Sequence, residues 1–193
     1  MNNIALQGYI RDIEFSHDRG NVDYNKASLI CPGVNGKEDD LFLLQFKSYS
    51  NRYKEGDFIS IKGNLRSYSQ RQQDGKSSVL IYVFTYFDLP DLPINTVQLD
   101  GRICKISPLQ QTQHGKYFIH FILANNIFKG NKKINCYIPC TARGELAQHV
   151  ADYKVNDFVI LEGEFHSHTY TQKITNEIKL AHEVIVKNIF LGV

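Results

Sequence analysis

Apolar and polar residues alternate along most of the chain, and a period of two is typical of β-strands with one face in a core. Polar loops that contain glycine interrupt this alternation. One stretch, 142–153, has the composition of a helix, and the corresponding stretch of the first half, 49–54, allows one or two turns. The pattern therefore predicts an all-β chain with a short helix and five strands in each half. The predicted strands are 3–13, 24–31, 40–48, 57–69 and 78–88, then 95–106, 116–126, 133–140, 157–171 and 176–190.

An internal repeat organises these strands. Residues 53–65 and 153–165 share Tyr, Lys, Asp, Phe and Gly at the same positions and keep apolar or polar character at most others. Residues 4–11 and 97–104 share apolar residues two positions apart, then a glycine, then another apolar residue. One repeat of about 95 residues predicts two domains, because a solenoid needs several shorter repeats.

The boundary between the copies is predicted within residues 88–94. Two prolines three positions apart in this segment interrupt strand pairing and stiffen a short connection. We therefore predict one domain at 1–91 and a second at 92–193. Five strands, a helix between the third and fourth, and a glycine in the first describe an OB-fold, a five-stranded Greek-key barrel. The glycine allows a long first strand to bend and to pair with two neighbours.

The first and fourth strands carry a family resemblance. The first-strand pattern resembles that of bacterial single-stranded DNA-binding proteins, and Phe58-Ile-Ser-Ile-Lys-Gly-Asn-Leu-Arg-Ser-Tyr-Ser resembles their fourth strand. In the second copy, residues 136–139, 159–168 and 180–185 are also similar to the third, fourth and fifth strands of primosomal replication protein N. The resemblance implies two tandem OB-folds that bind single-stranded DNA in replication or recombination. Because the family's tetramer presents four OB units, it also implies a homodimer.

Composition and charge modify this expectation. The chain has 11 Tyr and 12 Phe but no Trp, whereas the family stacks bases on tryptophan, so tyrosines are the predicted stacking rings. The net charge is only +2, yet the stretch 47–76 holds seven cations and three anions. An acidic stretch at 38–40 would repel phosphates, so it either lies away from the groove or faces a protein partner.

Binding of a single strand requires cations for the phosphates and flat rings on which bases stack. Alternation in the fourth strand places Ile59, Ile61 and Leu65 in the core and the residues between them on the opposite face. We also predict that Phe58, Phe118, Phe121 and Phe158 pack in the cores. A solvated strand face is the alternative interpretation of the outward residues. The predicted binding residues are Tyr9, Arg11, Lys47, Lys62, Arg66, Tyr68, Arg71, Arg102, Tyr137, His166, His168 and Tyr170.

Other classes of protein are not favoured. The sequence has no apolar run long enough for a membrane helix and no secretory signal at its start, so we expect a cytoplasmic protein. Cys136 and Cys140 alternate toward the core and lack zinc-finger spacing, so neither a metal nor another cofactor is predicted. The sequence contains no phosphate-binding loop and no motif for nucleophilic or metal-dependent hydrolysis, so no enzymatic activity is predicted.

Two other functions stay open at this point. The chain could be a primosomal or polymerase-accessory module whose OB-folds hold protein partners, which the weak net charge and the missing tryptophans favour. It could also bind RNA, which OB-folds support. A role in replication implies primase, helicase or polymerase as partners. The chain ends directly after its last predicted strand, so we expect no tail that recruits them, and a phage or mobile-element origin is predicted.

Overall fold

The computed structural model describes residues 1–33, 39–48, 53–69, 77–86, 94–129, 132–171 and 176–192. Ten of its strands correspond to the ten predicted ones within a few residues, so the expectation of a mostly β chain is confirmed. The strands are β1 (Asn2–Asp18), β2 (Asp23–Cys31), β3 (Asp40–Lys47), β4 (Phe58–Ser69), β5 (Ser77–Tyr86), β6 (Asn95–Ile106), β7 (Gln110–Gln111), β8 (Tyr117–Lys129), β9 (Lys132–Arg143), β10 (Phe158–Thr171) and β11 (Ile178–Leu191).

The helix α1, Glu145–Val150, is about half as long as the stretch predicted for it. It starts later because Ala142 and Arg143 continue β9 and pair with Ile119 and Phe118 on β8. The turns predicted at 49–54 fall mostly outside the described residues. In the described ranges no helix is long and apolar enough to cross a membrane.

Both halves pair their strands in the same order. In the first half β1 pairs with β2 and β4, β2 pairs with β3, β3 runs parallel to β5, and β5 returns to β4. In the second half β6 pairs with β8 and β10, β8 pairs with β9, β9 runs parallel to β11, and β11 returns to β10. Each half closes a five-stranded ring. The boundary at 91/92 stays a prediction, because residues 87–93 lie outside the described part.

A glycine in the first strand of each ring permits the closure. A Cβ atom at Gly8 would lie 2.5 Å from the carbonyl oxygen of Ile30 on β2. One at Gly101 would lie 2.5 Å from the carbonyl oxygen of Ala124 on β8. Real Cβ atoms do not approach a backbone oxygen this closely, so a side chain here would push the neighbouring strand away and open the ring.

The two halves join through their first strands. β1 and β6 pair antiparallel, with Asn2 opposite Leu99 and Leu6 opposite Asn95. Asn95 and Leu99 occupy the same places in the second copy as Asn2 and Leu6 in the first, so the pairing has the symmetry of an approximate two-fold axis. The result is a continuous sheet in the order β4-β1-β6-β10, which spans both halves.

Asparagine side chains extend this sheet where the backbone of the first strand ends. The Asn2 side chain accepts from the Leu65 amide at 2.8 Å and donates to the Leu65 carbonyl at 2.9 Å. Asn95 makes the same two bonds to Phe165, at 2.8 and 2.7 Å. Each side chain therefore replaces one residue of a missing strand and satisfies buried peptide groups of the fourth strand.

A reciprocal pair of serine hydrogen bonds holds the far edges of the junction. The amide of Tyr137 on β9 donates to Ser67 Oγ on β4 at 2.8 Å. The amide of Leu41 on β3 donates to Ser167 Oγ on β10, also at 2.8 Å. In each case the third strand of one half covers the fourth strand of the other. The sequence predicts a separate core for each domain, whereas the structure has one apolar cluster that crosses the junction.

The two edges differ in the charged residues beside the serines. At the β3–β10 edge, Asp40 accepts hydrogen bonds from His166 Nδ1 at 2.9 Å and from the Ser167 amide at 2.6 Å. The hydrogen bond to Asp40 raises the pKa of His166, although burial opposes the shift. Burial raises the pKa of Asp40 in turn, but the bonds from His166 and Ser167 hold it below its ordinary value. The acidic residue predicted to repel phosphates faces the other half of its own chain.

The expectation that Phe58 packs in a core is wrong. Its side chain is 52% exposed, whereas Ile59 and Ile61 are buried. The alternation that buries those two residues turns Phe58 to the opposite face, where it lies directly across from Tyr9 on β1. Phe158 is only partly buried for the same reason, since it alternates with buried Val159, whereas Phe121 is buried as predicted.

Replacement of Asn2 by alanine tests the extension of the sheet. Asn2→Ala leaves the buried amide and carbonyl of Leu65 without their side-chain partners, so we expect the free energy of unfolding to fall by about 2–3 kcal/mol. Urea denaturation measures the change. Asn3→Ala is the matched control, because Asn3 is the adjacent asparagine and points to the other face of β1. Equal losses in the two variants would contradict the role given to Asn2.

The His166–Asp40 bond predicts a pH dependence of stability. Because the pKa of His166 is raised above its ordinary 6.5, the stabilisation is complete below about pH 6.5 and is lost as pH rises through the raised pKa. We expect His166→Gln, which keeps an uncharged hydrogen-bond donor, to flatten the decline of the unfolding free energy between pH 5.5 and 8.5. His114→Gln, in an exposed turn, should leave the wild-type profile unchanged. An unaltered profile in His166→Gln would refute this prediction.

Candidate nucleic-acid interface

Three of the predicted binding residues lie on the outer face of the β4-β1-β6-β10 sheet: Tyr9, Lys62 and Arg102. The Tyr9 ring packs edge-on against Phe58, with centroids 4.9 Å apart. Arg102 holds the position equivalent to Tyr9, and its guanidinium lies 5.8 Å from the ring centre of Phe158. Each half therefore carries a ring at the start of its fourth strand with an aromatic or cationic partner opposite it.

Arg66 on β4 and Tyr137 on β9 lie near each other at the β4–β9 edge of the junction. Tyr137 is 45% exposed, as predicted, and Arg66 is partly buried. Tyr68 lies on β4 two residues farther along, and its side chain is outside the described part. Burial raises the pKa of the neighbouring Cys136 thiol even though Arg66 lowers it. A cation and an exposed ring thus stand together at this edge.

The three binding residues predicted on β10 differ in whether the junction between the halves covers them. His166 is half-buried between Asp40 and Glu164, so its ring faces the first half instead of an open groove. His168, two residues farther along, is 53% exposed, and its Nδ1 lies 3.8 Å from Glu183. Tyr170 is partly exposed near the end of the same strand. Alternation correctly turned His166 away from its own core but carried no information on what covers that face.

The remaining predicted residues do not join these groups. Arg11 is exposed on β1 beside an irregularity in the β1–β2 pairing. Lys47 ends β3 opposite Tyr24 on β2 and is partly buried. Arg71 lies outside the described residues. The binding roles of all twelve predicted residues stay predictions.

An open cavity of about 650 Å³ lies on the outer surface of the second ring. It is enclosed by the turn between β7 and β8, the adjoining ends of β8 and β9, and the start of α1. Its lining combines the Phe118 ring, two cations, a histidine and the carboxylate of Glu145 with other polar residues. The residues that matter for the chemistry are Lys116, Phe118, His120 and Arg143.

The cavity has the chemistry of a stacking site for an anionic chain. The Phe118 ring packs edge-on against His120 at 5.3 Å, and His120 Nδ1 hydrogen-bonds to Thr141 Oγ1 at 2.7 Å. Lys116 and Arg143 are exposed at its rim. An aromatic ring beside exposed cations offers the stacking surface and the positive charge that bind a flexible phosphodiester chain.

Sequence reasoning missed this cavity because Phe118 was assigned to the core together with Phe121. The two residues lie three positions apart in a strand and therefore point to opposite faces. Ile119 and Phe121 are buried, whereas Phe118 and His120 face outward. The alternation could have identified the outward ring, but the enclosure depends on the β7–β8 turn and on α1, which no short motif specifies.

The described residues do not form a metal centre: no three His, Cys, Asp or Glu side chains among them cluster as ligands would. Cys136 and Cys140 are both buried, as the alternation predicted. Burial raises the pKa of the Cys140 thiol, and the nearby carboxylate of Glu183 raises it further. A protonated, buried thiol is a poor metal ligand.

Known proteins share this architecture. A deletion mutant of the single-stranded DNA binding protein from Thermus aquaticus superposes with a TM-score of 0.76 at 14% identity, over 100% of this chain and 95% of that one. The wild-type Thermus aquaticus protein gives 0.75 at 15% identity, over 100% and 93%. At this identity the likeness establishes the fold alone.

Sequence comparison gives the family. No curated protein matches the chain significantly. The model of the single-strand binding protein family, however, matches residues 94–191, which is more than half of the chain and includes every residue that lines the cavity. The chain therefore belongs to the single-strand binding protein family.

Proposed function

We propose that this protein binds single-stranded DNA through the cavity of its second half and acts in DNA replication or recombination. The observation that carries the proposal is the cavity itself, which places the Phe118 ring beside the cations Lys116 and Arg143. The family match covers the same residues. Binding of this kind needs no catalytic group, so the proposal is a binding protein without enzymatic activity.

The mechanism combines stacking with charge neutralisation. A base stacked on an aromatic ring contributes about 1–3 kcal/mol, whatever the base, because every base has a flat face. Cations at the rim neutralise phosphates and release counterions, so the affinity falls as salt rises. Neither interaction reads the edge of a base. The expected result is an extended, protected strand bound with little sequence preference.

We further propose that the chain is a tandem of two OB domains and that the first also contacts DNA. Support comes from the identical pairing order of the two rings and from the exposed Tyr137 and the adjacent Arg66 at the β4–β9 edge, which borders both halves. A strand leaving the cavity along β9 reaches these residues, since Arg143 and Tyr137 lie on the same strand. The similarity of the second half to primosomal replication protein N remains part of this proposal.

We propose that the outer face of the β4-β1-β6-β10 sheet binds a second copy of the chain. This face exposes Ile160 and Phe190, which lie opposite each other on β10 and β11 and are 39% and 63% exposed. Lys62 and Arg102 lie on the same face as Glu162, so a two-fold axis can set cations of one copy against carboxylates of the other. A homodimer would present four five-stranded rings.

Three further predictions from the sequence stay predictions: replication enzymes as partners, a cytoplasmic location, and a phage or mobile-element origin.

Titration of labelled poly-dT tests DNA binding. We expect tight binding at low salt and a linear fall of log affinity with log salt concentration. Phe118→Leu removes the ring but keeps an apolar side chain, and should weaken binding about fivefold or more through lost stacking. Arg143→Gln should weaken binding and reduce the salt slope by about 0.7, the contribution of one phosphate on a single strand.

Lys154→Gln is the matched control for Arg143→Gln, because it removes one exposed cation from the turn before β10, outside the cavity lining. Absence of binding at low salt would overturn the proposed function. Equal effects of Lys154→Gln and Arg143→Gln would overturn the assigned site. Tighter binding to poly-U than to poly-dT would assign the function to RNA, and retention of a replication protein without DNA binding would assign it to an accessory module.

Light scattering tests the homodimer. We expect about twice the 22.2 kDa chain mass for the wild-type protein and the chain mass for Phe190→Asp, which places a charge in the centre of the apolar patch. Phe15→Asp is the control, since Phe15 is 62% exposed and lies in the part of β1 that pairs with β2, beyond the residues that pair with β4 and β6. A monomeric wild-type protein would refute the proposed dimer.

A further inference from the structure

Glu183 on β11 lies behind the cavity wall and contacts polar side chains of the proposed DNA site. Its carboxylate is 14% exposed and accepts a hydrogen bond from Thr141 Oγ1, the hydroxyl that also contacts His120. Arg143 Nη2 lies 4.0 Å from Glu183 Oε1, and His168 Nδ1 lies 3.8 Å from the same oxygen. An arginine, a histidine and a hydroxyl from two strands, β9 and β10, thus converge on one carboxylate.

A carboxylate is an unexpected neighbour for a phosphate site. Glu183 contributes a negative charge directly beside Arg143, the cation that the proposed function gives to a phosphate. The Arg143 side chain is 64% exposed, and its 4.0 Å separation from Glu183 is at the limit of an ion pair. The guanidinium is therefore free to turn toward a ligand, whereas burial holds the Glu183 carboxylate in place.

We propose that Glu183 is a built-in competitor of the DNA phosphate. This inference rests on the proposed function of the cavity. In the unbound protein the carboxylate takes the place of a phosphate: it keeps Arg143 and His168 near the cavity and aligns Thr141 and His120 at its wall. When DNA binds, a phosphate draws Arg143 away from Glu183, and the loss of this ion pair offsets part of the gain. Glu183 is thus a positioning residue that lowers affinity and favours release.

The geometry separates this role from simple repulsion by an acidic surface. Glu145 also lines the cavity, but it lies at the start of α1 and is exposed to solvent, where its charge is screened. Glu183 is partly buried, so its interactions with Arg143 and His168 are screened less. Because it contacts both Arg143 and His168, its removal frees both side chains to contact a phosphate.

Glu183→Gln tests the inference, because glutamine can still accept the hydrogen bond from Thr141 but carries no charge. We expect poly-dT affinity at low salt to rise about threefold to tenfold, and the salt slope to steepen by up to about 0.7 for each cation that newly contacts a phosphate. In the double variant Glu183→Gln/Arg143→Gln most of the gain should disappear. Glu55→Gln, an exposed carboxylate in the turn before β4, makes the same change in net charge and should leave the affinity near that of wild type.

The outcomes separate the two proposals. Failure of the wild-type protein to bind poly-dT at low salt would overturn the function of the cavity itself. Wild-type binding with equal affinity gains in Glu183→Gln and Glu55→Gln would overturn the competitor role alone, because net charge would then explain both. Weaker binding by Glu183→Gln, with a melting temperature equal to that of the wild-type protein, would show that the carboxylate assists binding and would also overturn the inference.

Discussion

The antiparallel pairing of β1 with β6 is the interaction on which the rest of the molecule depends. It turns two closed rings into one continuous sheet, and it sets the third strand of each half across the fourth strand of the other. The serine bonds at the two edges and the apolar cluster between them are possible only in this register. A shift of β1 by one residue against β6 would misalign both serine bonds and the hydrogen bond from Asn2 to Asn125, which also crosses the junction.

Much of this architecture could be predicted from the sequence because its cause is local. Alternation located all ten principal strands, and the glycines at 8 and 101 marked the strands that must pass close to a neighbour. The same alternation, applied strictly, would also have turned Phe58 and Phe118 outward. Those errors came from assigning phenylalanine to the core by residue type, although the position in the strand decides which face it occupies.

The interface could be predicted less well because its cause is not local. His166 faces outward from its own ring, as alternation requires, but Asp40 is more than a hundred residues away in the chain and meets it only through the β1–β6 pairing. The cavity likewise needs the β7–β8 turn and α1 to enclose a strand face. Glu183 carries no motif, and its three partners reach it only when β9, β10 and β11 are assembled.

The contacts that join the two halves also decide which fragments of this chain can fold alone. The segment that resembles the family, 94–191, is a complete ring in sequence, but in isolation it would expose the free edge of β6. It would also uncover Phe165, whose ring stacks on Phe42 of the first half at 4.7 Å. An unpaired edge beside an exposed apolar ring is prone to self-association. The segment recognisable by its sequence is therefore smaller than the segment able to fold, and fragments made at the family boundary should aggregate.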